Sequence, residues 1–330
     1  MGRRDAGLQT MSRYMRQTGL FPQGEADQKR LLEAHILVVG AGGLGATVLP
    51  ALAGAGCGRM TVVDHDRVDE SNLHRQTLFR MDDIGRFKTA CVAERLSDLN
   101  PDCQIVPVAE RLEPVLARRL LTDVSVVVDA ADSVAVTYML SDLCVQAGLP
   151  LVSASVLGRS GYAGGFCGTA PDYRAVFPDL PAILPNCTEA GVMGPAVAAL
   201  GAIQAQMVLS VLLETQPSPL GQVITLDLER WRNSSFRFDK APAAEARGPF
   251  VLGVEELTRD DRVFDLRRTN EKGPPSVDWA FRGPIENPET LNFKAGRTVF
   301  VCASGLRAWR AAKRYSEHSG ATAFIATAGR

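Results

Sequence analysis

The chain has 330 residues, enough for one large domain with a full core and a smaller second one. A formal net charge of −1 provides no basic field for nucleic acid or an anionic membrane surface, and the opening MGRRDAGLQT lacks the apolar core of a signal peptide. Seven cysteines, at 57, 91, 103, 144, 167, 187 and 302, follow no regular spacing and mostly lie in apolar segments, which points to a reducing, cytoplasmic compartment.

Residues 1–33 read as a polar arm leading into a helix, with Arg13-Tyr14-Met15-Arg16-Gln17 as a helical turn. Ile36 to Val39 is a short β-branched run of the kind that forms a buried parallel strand. Gly40-Ala41-Gly42-Gly43-Leu44-Gly45 follows, then an apolar helix as far as Gly56, then a strand from Met60 to Val63 ending in Asp64. This βαβ setting lifts a GxGxxG match above chance and predicts a bound nucleotide. Gly40, Gly42, Gly43 and Gly45 let the backbone turn tightly and approach a phosphate at a helix N-terminus, and Asp64 is placed to accept hydrogen bonds from a ribose.

The polar loop Ser71-Asn72-Leu73-His74-Arg75-Gln76 comes next, and Gly85-Arg86-Phe87-Lys88 adds a second cation. Surface cations are common, but a dehydrogenase needs an apolar slot for nicotinamide, whereas adenylation needs cations near an α-phosphate and a leaving pyrophosphate. Residues 82–100 have near-helical apolar spacing and place Lys88 in the early turns, where a cation opposes the helix dipole until a polyphosphate arrives. Residues 104–108 are expected to be a third strand and 113–121 a short helix. Val124 to Val128 runs into Asp129-Ala130-Ala131-Asp132-Ser133, at the strand end where such sheets bind ligands. Asp132 or Ser133 would equally serve as an N-cap.

Leu149 to Val156 is another strand, and the glycine-rich segment from Gly158 to Thr169 reads as a hairpin lying over a bound polypeptide tail. Cys187 stands in the polar loop Asn186-Cys187-Thr188-Glu189 before an apolar helix, where thiolate is stabilised, although a lone cysteine is commonly just a small core residue. Gly191 to Leu213 is apolar enough to raise the question of a membrane span, but Pro195, Gln204 and Gln206 argue for a buried helix. Residues 222–228 and 231–238 alternate like antiparallel strands completing a mixed sheet, and 240–249 reads as a linker.

RYMRQ, GAGGLG, DHDRVDESNLHRQ, GRFK, DAADS and NCTEAGVMGP together resemble the MoeB/ThiF family of adenylyltransferases, relatives of the ubiquitin-activating enzymes, over roughly residues 10–240. The resemblance implies an ATP-binding, Rossmann-like α/β domain with a doubly wound mixed sheet, acting as a homodimer in which Arg16 reaches the partner subunit's ATP site. It implies nucleotide-binding roles for Asp64, Asp66, Asn72, Arg75, Gln76 and Lys88, a magnesium-binding Asp132, and an acyl-accepting Cys187. The family usually has Asn where this chain has Ser133. Many members carry a CxxC in a segment like PCYRCLFP and a second beyond residue 235. This chain has Pro171-Asp172-Tyr173-Arg174-Ala175-Val176-Phe177-Pro178 and no cysteine from 188 to 301, so no zinc site is expected.

After the linker, VEELTRDDRVFDLR resembles the opening of a rhodanese module, a helix and then a strand ending Asp265-Leu266-Arg267. Arg297 to Val301 runs into Cys302-Ala303-Ser304-Gly305-Leu306-Arg307 and a helix, like a rhodanese active-site loop whose backbone N–H groups surround a thiol. A GHI segment is absent between the two strands, which leaves degeneracy open. The division expected is 1–239 adenylation, 240–249 linker and 250–330 rhodanese-like.

The implied function is adenylation of the C-terminal Gly-Gly carboxylate of a ubiquitin-like sulfur carrier, similar to ThiS or MoaD, using ATP and Mg²⁺. Sulfur from a Cys302 persulfide, charged by a cysteine desulfurase, would then give a thiocarboxylate for thiamine or molybdenum cofactor synthesis, with a slight lean to thiamine. The rivals are a dehydrogenase, an adenylating relative acting on tRNA or a small peptide, and a non-catalytic docking protein.

Overall fold

The computed structural model describes residues 13–180, 191–242, 248–268, 271, 276–283, 285, 287–291, 296–303 and 305–327. After a helical stretch over 13–18 and helix α1 (Glu25–Glu33), the chain enters strand β1 (His35–Val39). It continues through α2 (Gly45–Gly54), β2 (Arg59–Val63), α3 (Lys88–Leu99), β3 (Gln104–Val108), α4 (Pro114–Leu120) and β4 (Val126–Asp129). Next come α5 (Val134–Ala147), β5 (Pro150–Leu157), β6 (Ser160–Cys167), α6 (Gly194–Leu212), β7 (Gln222–Asp227) and β8 (Arg232–Arg237).

These strands form one eight-stranded sheet in the order β3-β2-β1-β4-β5-β6-β7-β8, parallel through β5 and antiparallel beyond it. The order reverses between β1 and β4, so a crevice opens at the carboxyl ends of those two strands. Strand alternation sends Ile36, Val38, Val126, Val128, Val152 and Ala154 to one face, under α2, α3 and α6, and Leu37, Val39, Val127 and Leu151 to the other, under α4 and α5. Among the described residues α6 is the helix long and apolar enough to cross a membrane. Its Gly201 lies against Thr47 of α2, and its Gln204 is fully buried against the sheet, so it is a core helix.

The segment 158–169 departs from expectation. It does pair with β5 as a hairpin, but β6 is hydrogen-bonded on its other side to β7 and sits inside the sheet. It is a sheet strand, and no flap over a tail.

A second sheet follows, built from β9 (Phe250–Leu252), β10 (Arg262–Asp265), β11 (Phe281–Arg282), β12 (Thr298–Cys302) and β13 (Ala323–Thr327), with α7 (Leu306–Ser319) between the last two. Its order is β11-β10-β12-β13-β9, all parallel. The helix expected before β10 is only a 3-10 turn, Val254–Glu256, too short to propagate. The second sheet shares a core with the first domain: the rings of Tyr138 of α5 and Trp309 of α7 lie tilted with centroids 4.4 Å apart, in a cluster that also contains Phe300, Tyr315 and Ile325. Arg174, 2% exposed, bonds both oxygens of Asp142 and donates to the carbonyls of Gly248 and Pro249 at the start of the second unit. Where many family members carry a CxxC, Asp172 Oδ1 accepts from Ala175 N at 3.1 Å and caps the turn that presents Arg174.

Candidate active site

The glycine loop is shaped by what it touches. Gly40 has φ +98°, and a Cβ there would lie 2.5 Å from Ala130 O, so the loop is pressed onto the turn after β4. A side chain on Gly45 would strike Gly40 O, which closes the loop onto the start of α2. A Cβ on Gly42 would stand 3.8 Å from Gln76 Nε2, and one on Gly43 would press on Val197 Cγ1 of α6 at 2.8 Å and lie 3.7 Å from Arg75 Cγ. Gln76 is 3% exposed and its Oε1 has no partner among the described residues, an orphaned acceptor at the loop's edge.

Asp64 leaves β2 and accepts from Ala41 N at 2.7 Å through one oxygen and from Asp66 N at 2.8 Å through the other. It therefore pins the glycine loop, and each oxygen keeps a second lone pair for a ribose hydroxyl. Burial pushes its carboxyl above the ordinary aspartate range, against the pull of Lys88 and the two N–H groups. Lys88, at the first position of α3, is 3% exposed rather than a surface cation, and its Nζ donates to Asp66 Oδ2 at 2.9 Å. Burial opposes the charge on Asp66, but the Lys88 hydrogen bond and charge outweigh it and hold that carboxyl low. Arg75 is half-buried, with Nη1 3.3 Å from Ser71 O and 2.8 Å from His74 Nε2. Asn72 receives the amides of Arg75 and Gln76 on its carbonyl, so it shapes the turn carrying both.

The turn after β4 is held from beneath by groups that sequence reasoning did not single out. Asp129 is fully buried; it accepts from Ser153 Oγ at 2.8 Å and from Ala131 N at 3.2 Å, and burial pushes its pKa to about 6. Gln204 Nε2 donates to Asp129 O and Val152 O, tying β4 to β5 at that point. The only sequence signal was a polar residue in an apolar helix. Asp132 stands exposed beyond this turn with no hydrogen-bond or ion-pair partner among the described residues.

Arg16 does not join this cluster. It is exposed, on the 13–18 helical stretch, which is bonded to the far ends of α2 and α3. Cys187 lies outside the described residues. Cys302 closes β12 and is 0% exposed, and its Sγ accepts from Ala308 N, in the first turn of α7, at 3.3 Å. The loop beyond it leans on α5, where a Cβ on Gly305 would stand 3.1 Å from Ala135 Cβ. Arg267 is locked to Asp265 at 2.6 Å and Arg307 is paired with Glu271, whose carboxyl that pairing holds down to about 2.

A family model described as the ThiF family matches residues 14–247, and so spans the whole first sheet and its site. The chain belongs to the ThiF family. It is 39% identical over 331 residues to the adenylyltransferase and sulfurtransferase UBA4 of Candida glabrata, covering 95% of this chain and 68% of the relative. It is 40% identical over 226 residues to the adenylyltransferase and sulfurtransferase MOCS3 of Sus scrofa, covering 66% and 49%. To the SAMP-activating enzyme E1 of Haloferax volcanii it is 36% identical over 219 residues, covering 66% and 81%. The chain spans about half the length of several curated relatives it matches. Among solved structures, E. coli MccB superposes with a TM-score of 0.63 at 21% identity over 72% of each chain, a likeness of fold.

Proposed function

We propose that this ThiF-family chain adenylates the C-terminal carboxylate of a ubiquitin-like sulfur carrier protein, similar to ThiS or MoaD, with ATP as the second substrate. The observation that carries this reading is the meeting of the glycine loop, Arg75, Gln76 and the Lys88–Asp66 pair at the switch point of the sheet. A hydride-transfer site has no use for a buried lysine and an arginine beside a phosphate loop.

In this reading Asp64 takes the ribose and Asn72 and Gln76 border the phosphates. The tail carboxylate attacks the α-phosphorus, the bond to the β-phosphate oxygen breaks, and pyrophosphate leaves. Arg75 and Lys88 stabilise the charge that develops. The unpartnered Asp132 carboxylate fits a hard cation shared with phosphate oxygens, and would hold Mg²⁺, which lowers the charge of the polyphosphate when bound. Asp66 shares Lys88 with the phosphates.

The chain acts as a homodimer, Arg16 serving the partner subunit's site. Cys302 of a rhodanese-like unit, residues 250–330, carries a persulfide charged by a desulfurase; its outer sulfur attacks the acyl carbon and AMP leaves. The Cys187 thiolate then attacks the Cys302 sulfur of the acyl disulfide, releasing the thiocarboxylate and leaving a Cys187–Cys302 disulfide for a cellular thiol to reduce. Residues 240–249 join that unit to the adenylating domain, 1–239. The free, buried cysteines suit a reducing cytoplasm.

The test is ATP–pyrophosphate exchange with a ThiS-like and a MoaD-like carrier. Carrier-dependent exchange is expected, and the carrier that supports it names thiamine or molybdenum cofactor synthesis. Exchange with neither removes the reading and leaves a tRNA or peptide acceptor, or docking alone.

A further inference from the structure

The stretch around Arg16 is fastened with unusual care for a surface segment. Tyr14 is 1% exposed, and its hydroxyl oxygen accepts from Asn100 Nδ2 at 2.7 Å. The same nitrogen donates to Ala53 O at 2.6 Å, and Asn100 is itself fully buried. The Tyr14 ring lies on Gly56, which has φ +84° and where a Cβ would come within 2.6 Å of the ring. Gln17 Nε2 donates to Ala55 O at 2.7 Å, and Arg13 Nη1 to Leu99 O at 2.9 Å. All these carbonyls belong to the C-terminal turns of α2 and α3 or the residues just past them, where helix carbonyls run out of partners in the following turn, although Ala53 O also accepts from Gly56 N.

One face of the stretch is thus nailed down, and the other presents Arg16, which has no partner among the described residues, flanked by Met15 and Leu20, 68% and 84% exposed. The anchor sits at the end of α2 opposite the glycine loop. A ten-residue helix is about 15 Å long, so Arg16 is out of reach of its own chain's nucleotide. Ordering an arginine that far from any ligand of its own chain makes sense when a second copy supplies the ligand.

Resting on the adenylation reading and on the role in the partner subunit's site given above to Arg16, we infer that Tyr14, Asn100 and Gln17 are positioning residues for Arg16, fixing the stretch that offers it to a second copy of this chain, with Met15 and Leu20 in the contact between copies. Two requirements follow: catalytic complementation between chains, and a loss on cutting the anchor that is transmitted through Arg16 alone.

The experiment uses the full-length protein with its carrier in pyrophosphate exchange. An equal mixture of Arg16→Ala and Arg75→Ala chains, refolded together, should recover about a quarter of wild-type exchange, because half the dimers are mixed and each of those has one intact site. Tyr14→Phe should lower kcat on the order of tenfold with KM for ATP within about twofold, and Gln17→Ala should do likewise. The decisive variant is Tyr14→Phe/Arg16→Ala, which should be no slower than Arg16→Ala alone. Multiplied losses in the double variant would make Tyr14 a general structural residue and overturn the inference. So would absence of complementation while wild-type exchange is normal. Absence of exchange in the wild type itself would instead strike the adenylation reading.

Discussion

Arg174 and Asp142 form a paired, two-point ion contact, 2.9 Å and 2.8 Å, with the arginine side chain 1% exposed and also bonded to the backbone of Gly248 and Pro249. The guanidinium faces three aromatic rings, of Tyr138, Trp309 and Phe250. Removing one partner of a buried ion pair costs about 3–5 kcal/mol. Arg174→Met should lose that much in a urea titration, and limited proteolysis should release the region beyond residue 248. Arg174→Lys should not rescue it, since an ammonium cannot reach all four acceptors in one plane.

Lys88 rests on Asp66 until a polyphosphate competes for it. Lys88→Ala should cut carrier-dependent pyrophosphate exchange on the order of a hundredfold, as Arg75→Ala should, because both would stabilise charge that develops on the phosphates. Asp66→Asn keeps the cation but loosens it, so its effect should be several-fold and appear mainly in KM for ATP. Steady-state exchange rates at varied ATP separate the two outcomes.

Asp129 gives a pH signature. Its folded pKa of about 6 lies above the ordinary value near 4, so the native state binds the extra proton between those values. The contribution from the neutral acid is complete below about pH 4 and is lost as pH rises through about 6. Asp129→Asn should flatten this term: the difference in unfolding free energy between variant and wild type should move in favour of the variant by roughly 2–3 kcal/mol from pH 4 to 7. Parallel melts at each pH measure it.

The six cysteines among the described residues are all buried, Cys302 at 0% exposure. A chromogenic thiol reagent should therefore find them slow in the native protein, and a Cys187→Ser variant should show no fast-reacting thiol. Fast labelling of Cys302, read by mass spectrometry, would mean that the loop at Gly305 leaves α5 readily. Cys302→Ala should leave exchange unchanged and lower the thiocarboxylate yield when sulfur comes from a persulfide.

The glycine loop, Asp64 and the parallel strands could be read from the residues because their physics is local: glycine spacing sets the turn, and β-branched runs such as Val126–Val128 fit only a buried strand. Lys88 illustrates the limit. Its place at a helix start was legible, but its burial and its pairing with Asp66 depend on a loop 22 residues away. Asp129, Gln204 and Tyr14 were missed for the same reason, since each acts through partners remote in sequence. The burial of Cys302 comes from packing against α7 that its loop motif does not reveal, and the three residues of β9 are too few to carry a periodic signal.

That short strand sets the order in which the second sheet can be completed. Phe250–Leu252 pairs only with β13, the last strand of the sheet, and never with the chain that immediately follows it. On a ribosome the first strand of this unit therefore waits, unpaired, until the whole unit has been made, while the larger domain ahead of it can already have condensed. Arg174 and the exposed face of α5 then act as the landing place, and closure of the second unit is a late, nearly all-at-once event.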